Sequence, residues 1–284
     1  MKKAAMLIIA MCCIFFVSTA LGKGPSFEIQ TGGSPVLQRI KDSKTLRVGL
    51  NPHFKPFSFL NKDGKRIGVD IEMANTLAEQ LNVKCETVVP KQFSKLIPML
   101  QKGHIDVAMA VMTKTFARSK AVSFTDPYYK TGLSIMINKV KAGKDKIPQE
   151  LSYTTFMEQL NRQNKAHKLI IALTKGKAPA RIVPQYFPDS ILRFYKTNNE
   201  AAQSVLDGKA HIMIHDELFL KVWVNDNRKK TLYKVVVFPE PFKVNYYAFA
   251  VQKGNQEWVN MLNTFVMELT MSDTFKKLLN KYMQ

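Results

Sequence analysis

Short apolar runs alternate along the chain with longer segments whose apolar residues recur every three or four positions. Residues 45–50 form an apolar-rich run that stops at Asn51-Pro52, which reads as a strand meeting a turn. Over residues 70–81, Ile71, Ala74, Leu77, Ala78 and Leu81 share one face of a helix. Residues 84–89 read as the next strand, with Val83, Cys85 and Thr87 on one face and Cys85 a buried small apolar residue rather than a nucleophile. Residues 92–101 follow as a helix with Leu96, Ile97 and Leu100 inward, and residues 105–110 as a third strand. Ahead of this series, Ser34-Pro35 is a helix start, with Val36, Leu37 and Ile40 giving an apolar side. Strand, helix, strand, helix, strand at this spacing predicts a parallel sheet with right-handed crossovers.

A second α/β series begins near Leu133. Strands are expected at residues 133–138, 168–173, 191–195, 211–215 and 232–238, and helices at 154–164, 178–186, 198–206 and 216–224. The tail returns from Tyr246 as a strand and two helices. Ligands of such sheets sit beyond the carboxyl ends of the strands. The loops after Leu50, Val89 and Ala110 therefore carry the candidate chemistry.

The stretch TKTFARSKAVSFTDPYY, residues 113–129, is the centre of that chemistry. If Thr115 caps a helix, Arg118 falls in its first turn, and a hydroxyl, free backbone N–H groups and a five-donor guanidinium converge past a strand end. That is a carboxylate site. Taken alone, the segment is equally a surface loop with a solvated arginine. The neighbouring loops add Asn51 and Phe54, then Phe93, then Val111 and Thr113. Two aromatics beside a carboxylate binder suggest a small acid held between rings, although either ring taken alone reads as ordinary core. In the second series, the loop after Leu173 leads into a helix at Ala178, whose backbone N–H groups suit an anion. His215-Asp216 follows the fourth strand, and Asp216 either caps the next helix or accepts an ammonium group.

Charge and cysteine content change the picture in two ways. Met1-Lys2-Lys3, the apolar residues 4–17 and the small residues that follow form a secretory signal pattern over residues 1–22, with cleavage near residues 20–22. Removing it takes away Cys12 and Cys13 and leaves Cys85, so no internal disulfide is possible and the apolar core must hold the fold. The remaining chain has 40 basic residues against 22 acidic ones, about +18. The lysines are spread without a dense run, so export and charge together point to anionic membrane or wall polymers more than to nucleic acid. The five histidines show no metal-ligand spacing, and no metal or cofactor is expected.

Several motifs together resemble a known family: LRVGLNPHFKPFSF, GVDIEMANTLAEQL, LIPMLQKGHIDVAMAVMTKTFARSKAVSFTDPYYKTG, GKAHIMIHDE and YAFAVQKGN followed by FKKLLNKYM. They are similar to the periplasmic solute-binding proteins of ABC transporters, the polar amino-acid binding family (bacterial extracellular solute-binding protein family 3). The resemblance covers nearly all of the chain after about residue 34, and residues 142–168 match poorly.

It implies a type II periplasmic-binding fold: two α/β lobes, each a mainly parallel sheet flanked by helices, joined by two hinge strands and closing on a ligand. Residues 23–33 would be a flexible lead, residues 34–131 plus 244–284 lobe one, and residues 132–243 lobe two. It also implies roles. Arg118 pairs with the ligand α-carboxylate, helped by Thr113 and the backbone near Ala178. Asp216 takes the α-ammonium with the carbonyl of Val111. Phe54 and Phe93 are aromatic walls, and Asn51 and His215 set side-chain selectivity.

Three departures stand out. Val111 occupies a usual Gly or Ser position, Lys177 replaces a Thr or Ser, and Asn51 replaces the common Asp. His215-Asp216 resembles glutamine-binding members and tilts the expected ligand towards glutamine. The expected protein is a monomeric, non-enzymatic periplasmic binder that delivers a free amino acid to the membrane permease of an ABC importer. The alternatives are a cyclohexadienyl dehydratase-like enzyme on the same fold, or a ligand-sensing partner of a receptor. The dehydratases add a glutamate as general acid after the aspartate matching Asp216, and Phe219 stands in that place here.

Overall fold

The computed structural model describes residues 27–283. The signal pattern, its cleavage site and Cys12 and Cys13 lie outside the described residues. Eleven strands are present in that span: β1 (Thr45–Leu50), β2 (Phe59–Leu60), β3 (Arg66–Ile67), β4 (Lys84–Val88), β5 (Val107–Met109), β6 (Ser123–Asn138), β7 (Ile170–Thr174), β8 (Ile191–Tyr195), β9 (Ile212–Asp216), β10 (Val235–Val237) and β11 (Lys243–Val251). The main sheet runs β4-β1-β5-β11-β6-β9-β7-β8, with β10 also on β6. β1 is parallel to β4 and β5, and β7 is parallel to β8 and β9. The expected crossovers are supplied by helices Val69–Gln80 and Leu96–Gln101 in the first series, and by Ala178–Tyr186 and Asn198–Leu206 in the second.

β6 ties the two series together. Its residues 123–133 pair antiparallel with β11, and its residues 133–138 pair with β9 and β10. The apolar pattern predicted a strand only from residue 133; the observed strand begins ten residues earlier, at Ser123. The missed half contains Asp126-Pro127, which look like turn residues. Pro127 is tolerated because the register shifts around Ala248 at that place. Gly132 sits at the changeover, where an added Cβ would lie 2.4 Å from the Pro241 side chain and 2.7 Å from the Lys243 carbonyl.

Buried apolar residues fall into four clusters, one on each face of each half of the sheet. Two draw mainly on residues 36–128 and 247–275, and two on residues 133–238. Leu218 and Val222, from helix Glu217–Asp226, join the first group and pack against the other half. Between Lys55 and Asp226 a 2.8 Å ion pair spans the same seam. Asp106 is buried under Arg39 and Arg47, which anchors the first helix, Pro35–Ser43, to β1.

Several expectations need correction. β4 is an edge strand, so Cys85 is only half-buried and Thr87 is exposed. The segment expected as one helix over residues 92–101 opens with a 3₁₀ turn, Phe93–Lys95, before its α-helical part. Within residues 27–33, Ile29 lies against the first core. Asp70, at the start of helix Val69–Gln80, is fully buried, and neither carboxylate oxygen has a hydrogen-bond partner.

Candidate functional site

Arg118 lies on a four-residue helix, Phe116–Ser119, capped as expected: the Thr115 hydroxyl accepts from Arg118 N at 3.3 Å. The Arg118 guanidinium donates to the Thr113 carbonyl at 2.8 Å and lies 5.5 Å from the Phe93 ring centroid. Burial lowers its pKa, and the charge of Arg181 lowers it further. Arg181 belongs to helix Ala178–Tyr186, so the positive charge that disfavours protonated Arg118 comes from that helix.

Asp216 closes β9 and caps helix Glu217–Asp226 by accepting from Leu218 N at 3.0 Å. The capping reading of Asp216 is therefore correct, and it does not exhaust the carboxylate. Its other oxygen accepts from the Thr131 hydroxyl at 2.7 Å and from the Tyr247 hydroxyl at 2.5 Å. Burial nevertheless raises its pKa to about 6, against the opposing pull of these donors. Thr131 comes from β6 and Tyr247 from β11, so both crossing strands hold this one side chain. The neighbouring Tyr129 hydroxyl is pushed up to about 12 by burial and by the charges of Glu217 and Asp216.

The remaining predicted residues gather around these two. Thr113 bridges to Tyr247, whose ring meets Phe54 edge-on at 6.4 Å. Asn51 is buried; its amide donates to the Ala110 carbonyl at 3.3 Å and accepts from His53 N at 3.1 Å. Val111 is buried with φ +49°, a left-handed conformation that costs a β-branched residue strain. Ala178 is exposed at its helix start.

His215 is buried with its ring 4.6 Å from Phe219. Burial and the charge of Lys177 lower its pKa to about 3, so it is neutral at ordinary pH. Its Nδ1 has no hydrogen-bond partner, and neither does the buried Thr174 hydroxyl. Continuing the β7–β9 register from Ala172↔Met213 brings Thr174 beside His215.

The residues that sequence reasoning missed are Thr131, Tyr247, Thr174 and Arg181. Thr131 and Tyr247 depend on strand register, which no local pattern discloses. Arg181 carried a usable signal, because it lies one turn into a helix already picked out for anion binding. Among the described residues no group of three or more His, Cys, Asp and Glu side chains could hold a metal ion.

Known proteins resemble this chain along most of its length. The L-cystine-binding protein TcyJ of Escherichia coli K12 is 26% identical over 247 residues, 87% of this chain and 85% of that protein. The ABC transporter glutamine-binding protein GlnH of Bacillus subtilis is 23% identical over 289 residues, 100% of this chain and 98% of that protein. Among solved structures, the ancestral amino acid-binding protein AncCDT-1, a precursor of cyclohexadienyl dehydratase, superposes with a TM-score of 0.69 at 32% identity, covering 88% of this chain and 100% of that one. Residues 46–284 match the family described as bacterial extracellular solute-binding proteins, family 3, and the chain belongs to that family.

Proposed function

We propose that this chain captures a free polar amino acid outside the cytoplasm and delivers it to the permease of an ABC importer, acting as a monomer without a cofactor and without catalysis. Residues 34–131 plus 244–284 form one lobe and residues 132–243 the other, and the ligand is held between them. Arg118, Thr113 and the backbone at Ala178 take the α-carboxylate. Asp216 takes the α-ammonium, with the Val111 carbonyl. Phe54 and Phe93 flank the side chain, and its polar end meets Asn51 and His215.

One observation carries this reading. Arg118 and Asp216 bear opposite charges, and burial disfavours the charged form of each. Neither has an ion-pair partner among the described residues. A zwitterion supplies the counter-charge to both at once. The names of the relatives, which include cystine- and glutamine-binding proteins, support the ligand class.

The ligand side chain is neutral and hydrogen-bonding, with glutamine the favoured choice. Lys177 and Arg181 repel a cationic side chain, and Asn51 offers no carboxylate to receive one. The free Nδ1 of neutral His215 can accept from a side-chain amide. A dehydratase has less support, because Phe219 packs on His215 in the place where those enzymes carry an acid.

A thermal-shift panel of the twenty amino acids tests the proposal. A ligand at about 100 times its dissociation constant stabilises by about 2.7 kcal/mol. Glutamine is expected to give the largest shift and arginine little. Absence of a shift with every amino acid overturns the reading.

A further inference from the structure

The parallel strands β7, β8 and β9 carry the candidate site at their carboxyl ends. At their opposite ends lies a cationic pole that solute capture does not use. There the end of β6 meets the start of β10: Asn138 pairs with Val235, and Lys139 N donates to the Lys234 carbonyl at 2.8 Å. The helix Lys139–Lys144 brings Lys139, Lys141 and Lys144. The helix Arg228–Thr231 brings Arg228, Lys229 and Lys230, with Lys234 just beyond. Arg193 joins from β8, bonded to the Lys209 carbonyl at 2.6 Å. The acids here are few, and they are occupied. Asp145 is held by Lys141 and His211, and Asp207 lies 3.5 Å from Lys209. Lys139, Lys144, Arg228, Lys229, Lys230 and Lys234 make no ion pair among the described residues.

Three apolar side chains stand out of this charge. Val140 is 62% exposed, Leu232 51% and Tyr233 90%. Tyr233 is also in the left-handed region at φ +64°, which costs a bulky residue strain that its exposed ring does not recover by packing. The turn that presents it is firmly tied. Leu232 N donates to the Arg228 carbonyl at 3.0 Å and Lys234 N to the Thr231 carbonyl at 2.9 Å. The buried Thr231 hydroxyl donates back towards Val224 at 3.1 Å.

From this juxtaposition we infer that the pole is a docking face for an anionic phospholipid bilayer. Tyr233, Leu232 and Val140 enter the headgroup region, and the surrounding lysines and arginines meet the lipid phosphates. A ring with a polar tip and two aliphatic side chains suit the boundary between headgroup and acyl chain, and flanking lysines add electrostatic attraction. A soluble polyanion matches the lysines but gives Val140 and Leu232 nothing to bury against. Docked this way, the protein lies with its candidate site at the far end of the strands, open to solute. The inference does not depend on which solute is bound.

The test uses the chain from residue 23 onward, which holds every described residue and omits an apolar segment that partitions into lipid by itself. Co-sedimentation is measured with vesicles of phosphatidylcholine alone and of equal phosphatidylglycerol and phosphatidylcholine, at low and high salt. Binding is expected only to the anionic vesicles. Each Lys→Gln change at Lys229 or Lys230 lowers partitioning about fivefold. The pair Leu232→Ser and Tyr233→Ser lowers it about tenfold or more, while the melting temperature stays within the range of the parent. Equal binding to neutral vesicles overturns the inference. So does an equal loss from Lys84→Gln with Lys91→Gln on the other half of the molecule, which would make the attraction diffuse. Tight binding to a single-stranded oligonucleotide that is weakened as much by Tyr233→Ser makes the pole a nucleic-acid surface instead.

Discussion

Asp216, if it takes the ligand ammonium as proposed, should make amino-acid binding dependent on pH across its own titration. Its pKa in the free protein is about 6, and the ligand ammonium needs the ionised form. Apparent affinity then scales with the ionised fraction, about ten-elevenths at pH 7 and one-eleventh at pH 5. The dissociation constant should therefore rise about tenfold between pH 7 and pH 5. His215, at about 3, stays neutral throughout this range, and Arg118 stays protonated. Binding at pH 5 should also release close to one proton, and at pH 7 about a tenth of one.

Isothermal titration in two buffers of different ionisation enthalpy reads both quantities. Asp216→Asn should flatten the pH profile and weaken binding at pH 7 by about 30-fold or more, the cost of removing one partner from a buried charge pair. The stability of the free protein moves the other way. A carboxyl raised from 3.8 to about 6 contributes stability that is complete at low pH and lost as pH rises through that interval. The ligand-induced thermal shift should therefore shrink on acidification even though this group makes the free protein more stable there. An unchanged dissociation constant between pH 7 and pH 5, with no proton released, refutes the assignment of Asp216 to the ammonium.

Three further outcomes are expected. Arg118→Ala should weaken binding by about 10- to 100-fold through loss of charge-assisted hydrogen bonds, with little change in the unliganded melting temperature, because its guanidinium hydrogen-bonds one backbone carbonyl and otherwise lies only over the Phe93 ring. Asp70→Asn should raise the melting temperature increasingly as pH climbs from about 4, because burial raises the Asp70 pKa well above its usual value and its stabilising contribution is lost with rising pH; a constant difference from pH 4 to pH 8 would exclude this. Gly132→Ala should destabilise by about 1–3 kcal/mol by forcing β6 away from Pro241 and Lys243 at the crossing, and calorimetry with ligand titration should show affinity falling too.

Local patterns carried the fold where each element answers to its own residues. The helices over 178–186 and 198–206 and the strand over 191–195 coincide with expectation, because local signals decide there: Pro179 opens the first helix and Thr197 caps the second. They failed where a distant partner decides. Ser123 to Lys130 became strand because β11 lies beside it, and β4 stayed half-exposed because only β1 pairs with it. The same division runs through the site. Thr115 and Arg118 form a local capping unit legible from three residues. Thr131 and Tyr247 reach Asp216 across sequence separations of 85 and 31 residues, and nothing near them in the chain announces it.

The long-range contacts explain why Asp216 is built as it is. A helix-capping aspartate needs one backbone donor, and Leu218 supplies it. The two hydroxyls from β6 and β11 fix the second oxygen without neutralising it, since burial still outweighs all of these donors. Both strands cross between the halves of the sheet, so the carboxylate sits where the two halves join. Arg118 is likewise held by a carbonyl that orients it and leaves its charge uncompensated. Each group is oriented in advance and left electrostatically short, so little ordering remains to be done when a zwitterion arrives. A pair of surface charges satisfied by solvent would show neither the opposed pKa shifts nor the hydroxyls drawn from both crossing strands.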